Sequence, residues 1–252
     1  MEEKVEDWDY YPCRVDDKPA SIFLDLALAS SGPRPSSPHL LWIGLQIIEG
    51  GEHEMGVEPD VSELYELEDS IVCAAQALGM VFIGRLRNGG DWQLTFQGRP
   101  EDEAALEPLV IDALGTSHRG YRVGGQPDPD WSYYFDFLYP PAERLQWISD
   151  RRAVDQLRKR GDALSVPRAV EHRVEFDAGA DLENFYSQVR QHGFKVSEVG
   201  SPPAGRVVVG LVREDALDGL QIHSVVMNII ALSAPDGGHF LGWSCPFVPH
   251  KG

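Results

Sequence analysis

The spacing of apolar and polar residues divides the chain into short strands and amphipathic helices. Residues 7–15 and 20–28 carry aromatic and branched side chains on either side of Asp16-Asp17-Lys18-Pro19, which predicts a hairpin. A loop rich in Ser, Pro and Gly (30–38) leads to 40–48, a continuous apolar run of strand length. Val61, Leu64, Leu67, Ile71, Ala74 and Leu78 then recur every three or four residues, as one face of a helix. Asp60 and Glu63 stand at capping-box spacing before that stripe, and Gly79 is placed to end it. Residues 80–87 and 91–98 flank Asn88-Gly89-Gly90, a second hairpin signal. Residues 100–115 read as a helix distorted or restarted at Pro108, and 120–125 as a short strand. From residue 40 the order is β-α-β-β-α-β, the split β-α-β order.

Residues 126–141 interrupt this pattern with four prolines among many aromatics and are expected to pack as a cap or short helix. Residues 142–162 are helical in composition. They carry Arg144, Arg151, Arg152, Arg158, Lys159 and Arg160, and are expected to form a connecting helix. The order then repeats. Val170, His172, Val174 and Phe176 alternate with Glu171, Arg173 and Glu175 on a strand. Leu182, Phe185, Tyr186 and Val189 form a helical stripe stopped by Gly193. A hairpin crosses 200–205, a helix spans 217–234, and a last strand covers 239–248. Asp236-Gly237-Gly238 turns the chain into that strand. Gly242 inside it marks a bulge or close approach, and Trp243 is expected to pack the sheet. The fold class expected is α+β, with two ferredoxin-like modules and an N-terminal β-hairpin extending the first. Their bounds are 1–141 and 167–252, with 142–166 between them.

Composition narrows the classes. Of 252 residues, 42% are hydrophobic and 25% charged, as in a soluble globular chain. No apolar run reaches membrane-spanning length, and the acidic start lacks the basic n-region of a secretory signal. Cys13, Cys73 and Cys245 are odd in number and show no C-x-x-C spacing, so reduced thiols in a cytoplasmic protein are expected. The net charge of −18 is uneven: residues 1–141 hold 26 acidic and 9 basic side chains, the remainder 14 and 13. Such acidity disfavours direct binding of nucleic acid and fits either a solvated acidic surface or one that meets a basic protein partner.

No catalytic residue, cofactor-binding residue or metal ligand emerges. Gly242-Trp243-Ser244-Cys245-Pro246 lacks the second glycine and following helix of a nucleophile elbow, which leaves Ser244 a strand residue. No phosphate-cradling glycine loop is present. His53, between Glu52 and Glu54, has too few neighbours in sequence for a metal. Asp128 and Asp130 read as turn residues, since the glycine and glutamate of a calcium loop are missing. His172 is expected in a core, and His223 on the last helix has no evident acidic partner. RNA stacking on the second sheet would need aromatics and a basic face, and 206–214 is aliphatic. A second class of function, an enzyme or small-molecule binder, rests on Trp8, Tyr10, Tyr11, Trp131, Tyr133 and Tyr134. These aromatics could line a cleft between the modules, with core packing as the competing reading.

Two resemblances add to this. The pieces VEHRVEF, DLENFYSQVRQHGFKV, VVGLVRE and DGGHFLGWSCPFV within 167–248 resemble the regulator of ribonuclease E activity B family. Asp236, Gly237, Gly238, Gly242 and Trp243 fall in its closing motif, while Leu241 stands where that family commonly has an aspartate. The resemblance implies a ferredoxin-like, bacterial, non-enzymatic module that binds a ribonuclease E-type endonuclease and restrains its cleavage of transcripts. The pieces WDYYPCRVDDKPASIFLDLAL and DPDWSYYFDFLYPP in the first half resemble the bacterial domain-of-unknown-function family 695, which implies no chemistry.

Overall fold

The computed structural model describes residues 6–49, 55–200, 205–218 and 221–250. His53 and residues 201–204 of the expected hairpin connection lie outside these. The chain forms two compact units, Met1–Pro141 and Ala142–Gly252.

In the first unit, β1 (Trp8–Val15) and β2 (Lys18–Asp25) form the expected hairpin. Its two turn residues, Asp16 and Asp17, both take positive φ, the twist-matched geometry for a two-residue turn. A single helical turn, α1 (Leu28–Ser31), precedes β3 (His39–Gln46). Then come α2 (Asp60–Ala77), β4 (Val81–Asn88), β5 (Asp91–Gly98), α3 (Glu103–Leu114) and β6 (Tyr121–Pro127). The six strands lie in the order β1-β2-β4-β5-β3-β6, with every pairing antiparallel. Alternate residues of β3 and β5, namely Leu41, Ile43, Leu45, Trp92, Leu94 and Phe96, bury against Leu64 and Ile71 of α2 and Leu106 and Val110 of α3. Each such side chain contributes about 1.5–3 kcal/mol on leaving water.

Two local expectations are corrected here. Asp60 does not cap α2; its carboxylate accepts from the backbone N–H groups of Ile48 and Glu49 and from Arg119. Glu63 also turns to Arg119, at 2.9 Å. A fully buried guanidinium draws both acids away from the helix end. Nor does Pro108 restart α3, which runs through it without a break.

In the second unit, α4 (Ala142–Lys159) precedes β7 (Arg168–Asp177), α5 (Glu183–Gln191), β8 (Lys195–Gly200), β9 (Arg206–Asp215), α6 (Gln221–Ser233) and β10 (His239–Ser244). The sheet is antiparallel in the order β10-β7-β9-β8. Val174, Phe176, Phe185, Val189, Val209, Leu211, Val225 and Ile229 make its core. The helix expected as a connector belongs to this unit. Val154 of α4 packs with Leu164, Val170, Leu217 and Ile222, so 142–166 is part of the second core rather than a linker. The last strand also ends earlier than expected, at Ser244.

A buried ion pair closes the unit. Arg168 donates from Nη1 to both oxygens of Asp162 at 2.7–2.8 Å, and Val248 N–H donates to the same carboxylate at 2.9 Å. Burial works against the Asp162 anion, but these donors outweigh it and hold the carboxyl below the usual range.

Candidate functional site

The expected turn before β10 is present, and its two glycines have different work. Gly237 takes a left-handed conformation with φ +73°. Gly238 is a close-approach glycine: a Cβ there would sit 2.5 Å from Ser233 Cβ and 2.6 Å from Phe176 Cε1. Asp236 ends the short 3-10 turn before them, Ala234–Asp236.

β10 is an edge strand, and it carries a bulge. Phe240 pairs with Val174 and Gly242 with Arg173, which leaves Leu241 between them without a partner and 49% exposed. Gly242 sits at φ +139°, and no heavy atom lies within 4 Å of where its Cβ would be. The missing side chain opens a shallow pocket of about 340 Å³ lined by Glu171, Arg173, Leu241, Gly242, Trp243 and Ser244. Glu171 and Arg173 stand 3.6 Å apart on its β7 side. They project from the face opposite Val170, His172, Val174 and Phe176, all of which are buried as the alternation predicts. The pocket therefore combines an apolar tip, a carboxylate and a guanidinium beside a strand edge that pairs with no further strand among the described residues. That set suits recognition of a peptide segment.

Trp243 lines the pocket and also packs on the Val154, Leu164 and Val170 cluster, where its indole is held from behind. Its Nε1–H donates to Asp150 Oδ1 at 2.9 Å, His223 Nδ1 pairs with Asp150 Oδ2 at 2.9 Å, and Gln146 donates to Oδ1 at 2.9 Å. Asp150 is only 2% exposed, so one carboxylate ties α4, α6 and β10 together. Sequence reasoning missed it. The available signal was an acid at i+3 from Trp147 and i−4 from Val154, within an otherwise apolar helical stripe. The partner that His223 lacked in sequence is this residue.

His172 lies in the core with its ring near Phe194 and Phe240, and among the described residues neither ring nitrogen has a hydrogen-bond partner. Burial pulls its pKa down to about 4; Asp215 acts in the opposite direction and Arg213 in the same one. The ring is neutral at physiological pH.

The cleft candidates are placed in packing. Tyr11, Trp131 and Tyr134 are buried within the first unit. Tyr11 Oη donates to Leu138 O at 2.9 Å, Tyr134 Oη to Asp25 O at 2.8 Å, and Trp131 Nε1 to Ser37 O at 2.8 Å. Residues 133–138 form a wide helical turn that sets these contacts. Trp8 stacks on Phe23 and Phe82 at 5.1 and 5.2 Å. Tyr11, Trp131 and Tyr134 are thus committed to packing within the first unit, whereas Tyr10 is 44% exposed. Asp128 organises the turn before them, accepting from Ser132 N and Gln97 Nε2, while Asp130 is exposed. Among the described residues no group of three or more His, Cys, Asp or Glu could hold a metal. No helix among them is long and apolar enough to cross a membrane.

An α+β chain with two antiparallel sheets, one ending in a bulged edge strand backed by a buried carboxylate, is the class defined by this geometry. The chain belongs to the family described as Family of unknown function (DUF695), whose model matches residues 6–139. Residues 147–245 match the model described as Regulator of ribonuclease activity B. No curated protein matches. Among solved structures, a proposed glycine cleavage system transcriptional repressor is 12% identical, with 84% of this chain and 98% of that one covered at a TM-score of 0.25. An unknown protein from Galdieria sulphuraria is 12% identical over 84% and 99%, at 0.22. A microcompartment protein from Desulfitobacterium hafniense DCB is 15% identical over 84% and 96%, at 0.23. Scores this low leave the fold to be argued from the sheets themselves.

Proposed function

We propose that this chain is a regulatory protein that binds a ribonuclease of the ribonuclease E type and restrains its cleavage of RNA, with no reaction of its own. The observation that carries the reading is the match to the ribonuclease-regulator model over 147–245. The pocket at the β10 bulge, within the closing motif of that match, supplies the contact surface. The sheet orders β10-β7-β9-β8 and, within the first unit, β4-β5-β3-β6 support reading both units as ferredoxin-like. Three free cysteines suit a reducing, cytoplasmic setting. Of the aromatic residues behind the enzyme reading, Tyr11, Trp131 and Tyr134 pack in the interior of the first unit, while Tyr10 is exposed.

The acidity of the first unit gives the partner a sign. Neither α2 nor α3 carries a lysine or arginine, while Glu63, Glu66, Asp69, Glu103, Glu107 and Asp112 are exposed on them. A basic RNA-binding segment of the nuclease would meet this layer in competition with RNA.

The test is a titration of the full chain against a ribonuclease E-type endonuclease of the same organism, with binding and cleavage rate followed together at low and high salt. Binding with slowed cleavage is the expected result, weaker at high salt. No binding at either salt would overturn the reading.

A further inference from the structure

We propose that a recess on the first unit's sheet binds the guanidinium of an arginine side chain from a basic protein segment. The inference deepens the reading that the acidic unit meets a basic partner, and it rests on that reading. The recess measures about 280 Å³ and is lined by Gly44, Gln46, Gly89, Gly90, Asp91, Gly120, Tyr121 and Arg122. It exists because of the register of three strands. Gly44 of β3 lies opposite Gln93 of β5 on one side and Arg122 of β6 on the other, and Gln46 lies opposite Asp91. β5 and β6 are thus two strand spacings apart, roughly 10 Å. Even so, Arg122 Nη2 reaches Asp91 Oδ2 at 2.8 Å. Position 44 leaves room for the pair to bridge over β3: a Cβ there would lie 3.0 Å from Asp91 Oδ1. Gly120 likewise closes on the amide of Gln46, where a Cβ would meet Oε1 at 2.7 Å.

The two members of this ion pair are unequal. The Asp91 side chain is 26% exposed and its carboxyl is pushed up by burial against the pull of Arg122. The Arg122 side chain is 68% exposed. A half-buried acid is therefore held by an arginine that already lies mostly in water and returns to it at little cost. The lining offers the Asp91 carboxylate and the Gln46 amide as acceptors, over a floor to which glycine contributes four of the eight residues. A planar fork of N–H donors fits that floor and those acceptors better than a compact ammonium. Arg122 occupies the place that an incoming arginine takes.

This makes two substitutions act in opposite directions. Calorimetry of the full chain with a hexa-arginine peptide at low salt is expected to show binding that weakens at least tenfold in Asp91→Asn and tightens several-fold in Arg122→Ala. A hexa-lysine peptide is expected to bind more weakly than hexa-arginine. Unchanged affinity in Asp91→Asn, or weakening in Arg122→Ala, would overturn the proposal. Arginine amide binding as tightly as the peptide would assign the recess to a small molecule instead. If Asp91→Asn melts lower than the native chain, the largely exposed Arg122 still decides the matter. No nuclease is needed, so peptide binding beside a failed nuclease titration would separate this site from the proposed partner.

Discussion

Asp150 and His172 show the two ways a polar group survives burial. Asp150 has its donors from three elements, and removing the charge leaves them facing one another without it. Asp150→Ala is expected to lower stability by about 3–5 kcal/mol, as for the loss of one partner from a buried charged network. Thermal melts of the two variants are expected to place Asp150→Asn between the native chain and the alanine variant. Trp243 lends one of those donors but is itself only partly buried. Trp243→Ala is therefore expected to cost about 2–3 kcal/mol, below the value for a fully enclosed tryptophan. His172 has no such donors and stays neutral. The unfolded chain takes up a proton near pH 6.5, whereas the folded one does so only near 4. The stability it allows is thus fully present above pH 6.5 and is lost as pH falls towards 4, by on the order of 3 kcal/mol. Denaturation between pH 7 and 4 is expected to flatten in His172→Phe; an unaltered pH slope would place the loss elsewhere.

At the scale of elements, β10 is the test case. Its glycine opens the pocket and sits where a side chain is strained. Gly242→Val is expected to fill the notch and destabilise the strand by about 1–3 kcal/mol, read as weaker nuclease binding and a lower melting temperature. Glu171→Ala, half exposed at the pocket rim, is expected to leave the melt unchanged while altering binding. Most elements were legible because period and punctuation agreed: Gly79 and Gly193 stop their helices with positive φ, and the β7 alternation is buried as read. The glycine at 242 was legible as a bulge. What escaped was decided across space. Asp60 and Glu63 were drawn off by Arg119, 59 residues beyond Asp60 in the chain, and Asp150 acquired donors from two later elements. Neither the recess beneath Asp91 nor its ion pair leaves a trace in local spacing, since it depends on which residues of β5 and β6 flank Gly44.

Across the whole molecule, charge is unequally shared. The first unit holds most of the net charge, while the match to the ribonuclease-regulator model lies in the second. If the acidic unit docks the partner, binding should be lost when 1–141 is removed. Equal affinity of a folded 142–252 fragment for the nuclease would move the docking surface to the β10 face alone. The aromatic segment at 126–141 was readable as packed, but its role was not, because buried rings and cleft rings have the same composition.

The tie between Asp162, Arg168 and Val248 bears on where the second unit may be cut. The family match stops at residue 245. Ala163 N–H donates to Val248 O at 2.7 Å, Val248 N–H returns to Asp162, and His250 N–H reaches Gly161 O. A protein trimmed at the matched boundary would lose these bonds and the Pro246 carbonyl that Arg168 also uses. Such a truncation is expected to leave a buried ion pair short of donors and acceptors and to be less stable than a chain ending at 250 by about 2–4 kcal/mol, read as a lower melting temperature. The edge of the family match and the folding edge of the unit are different residues.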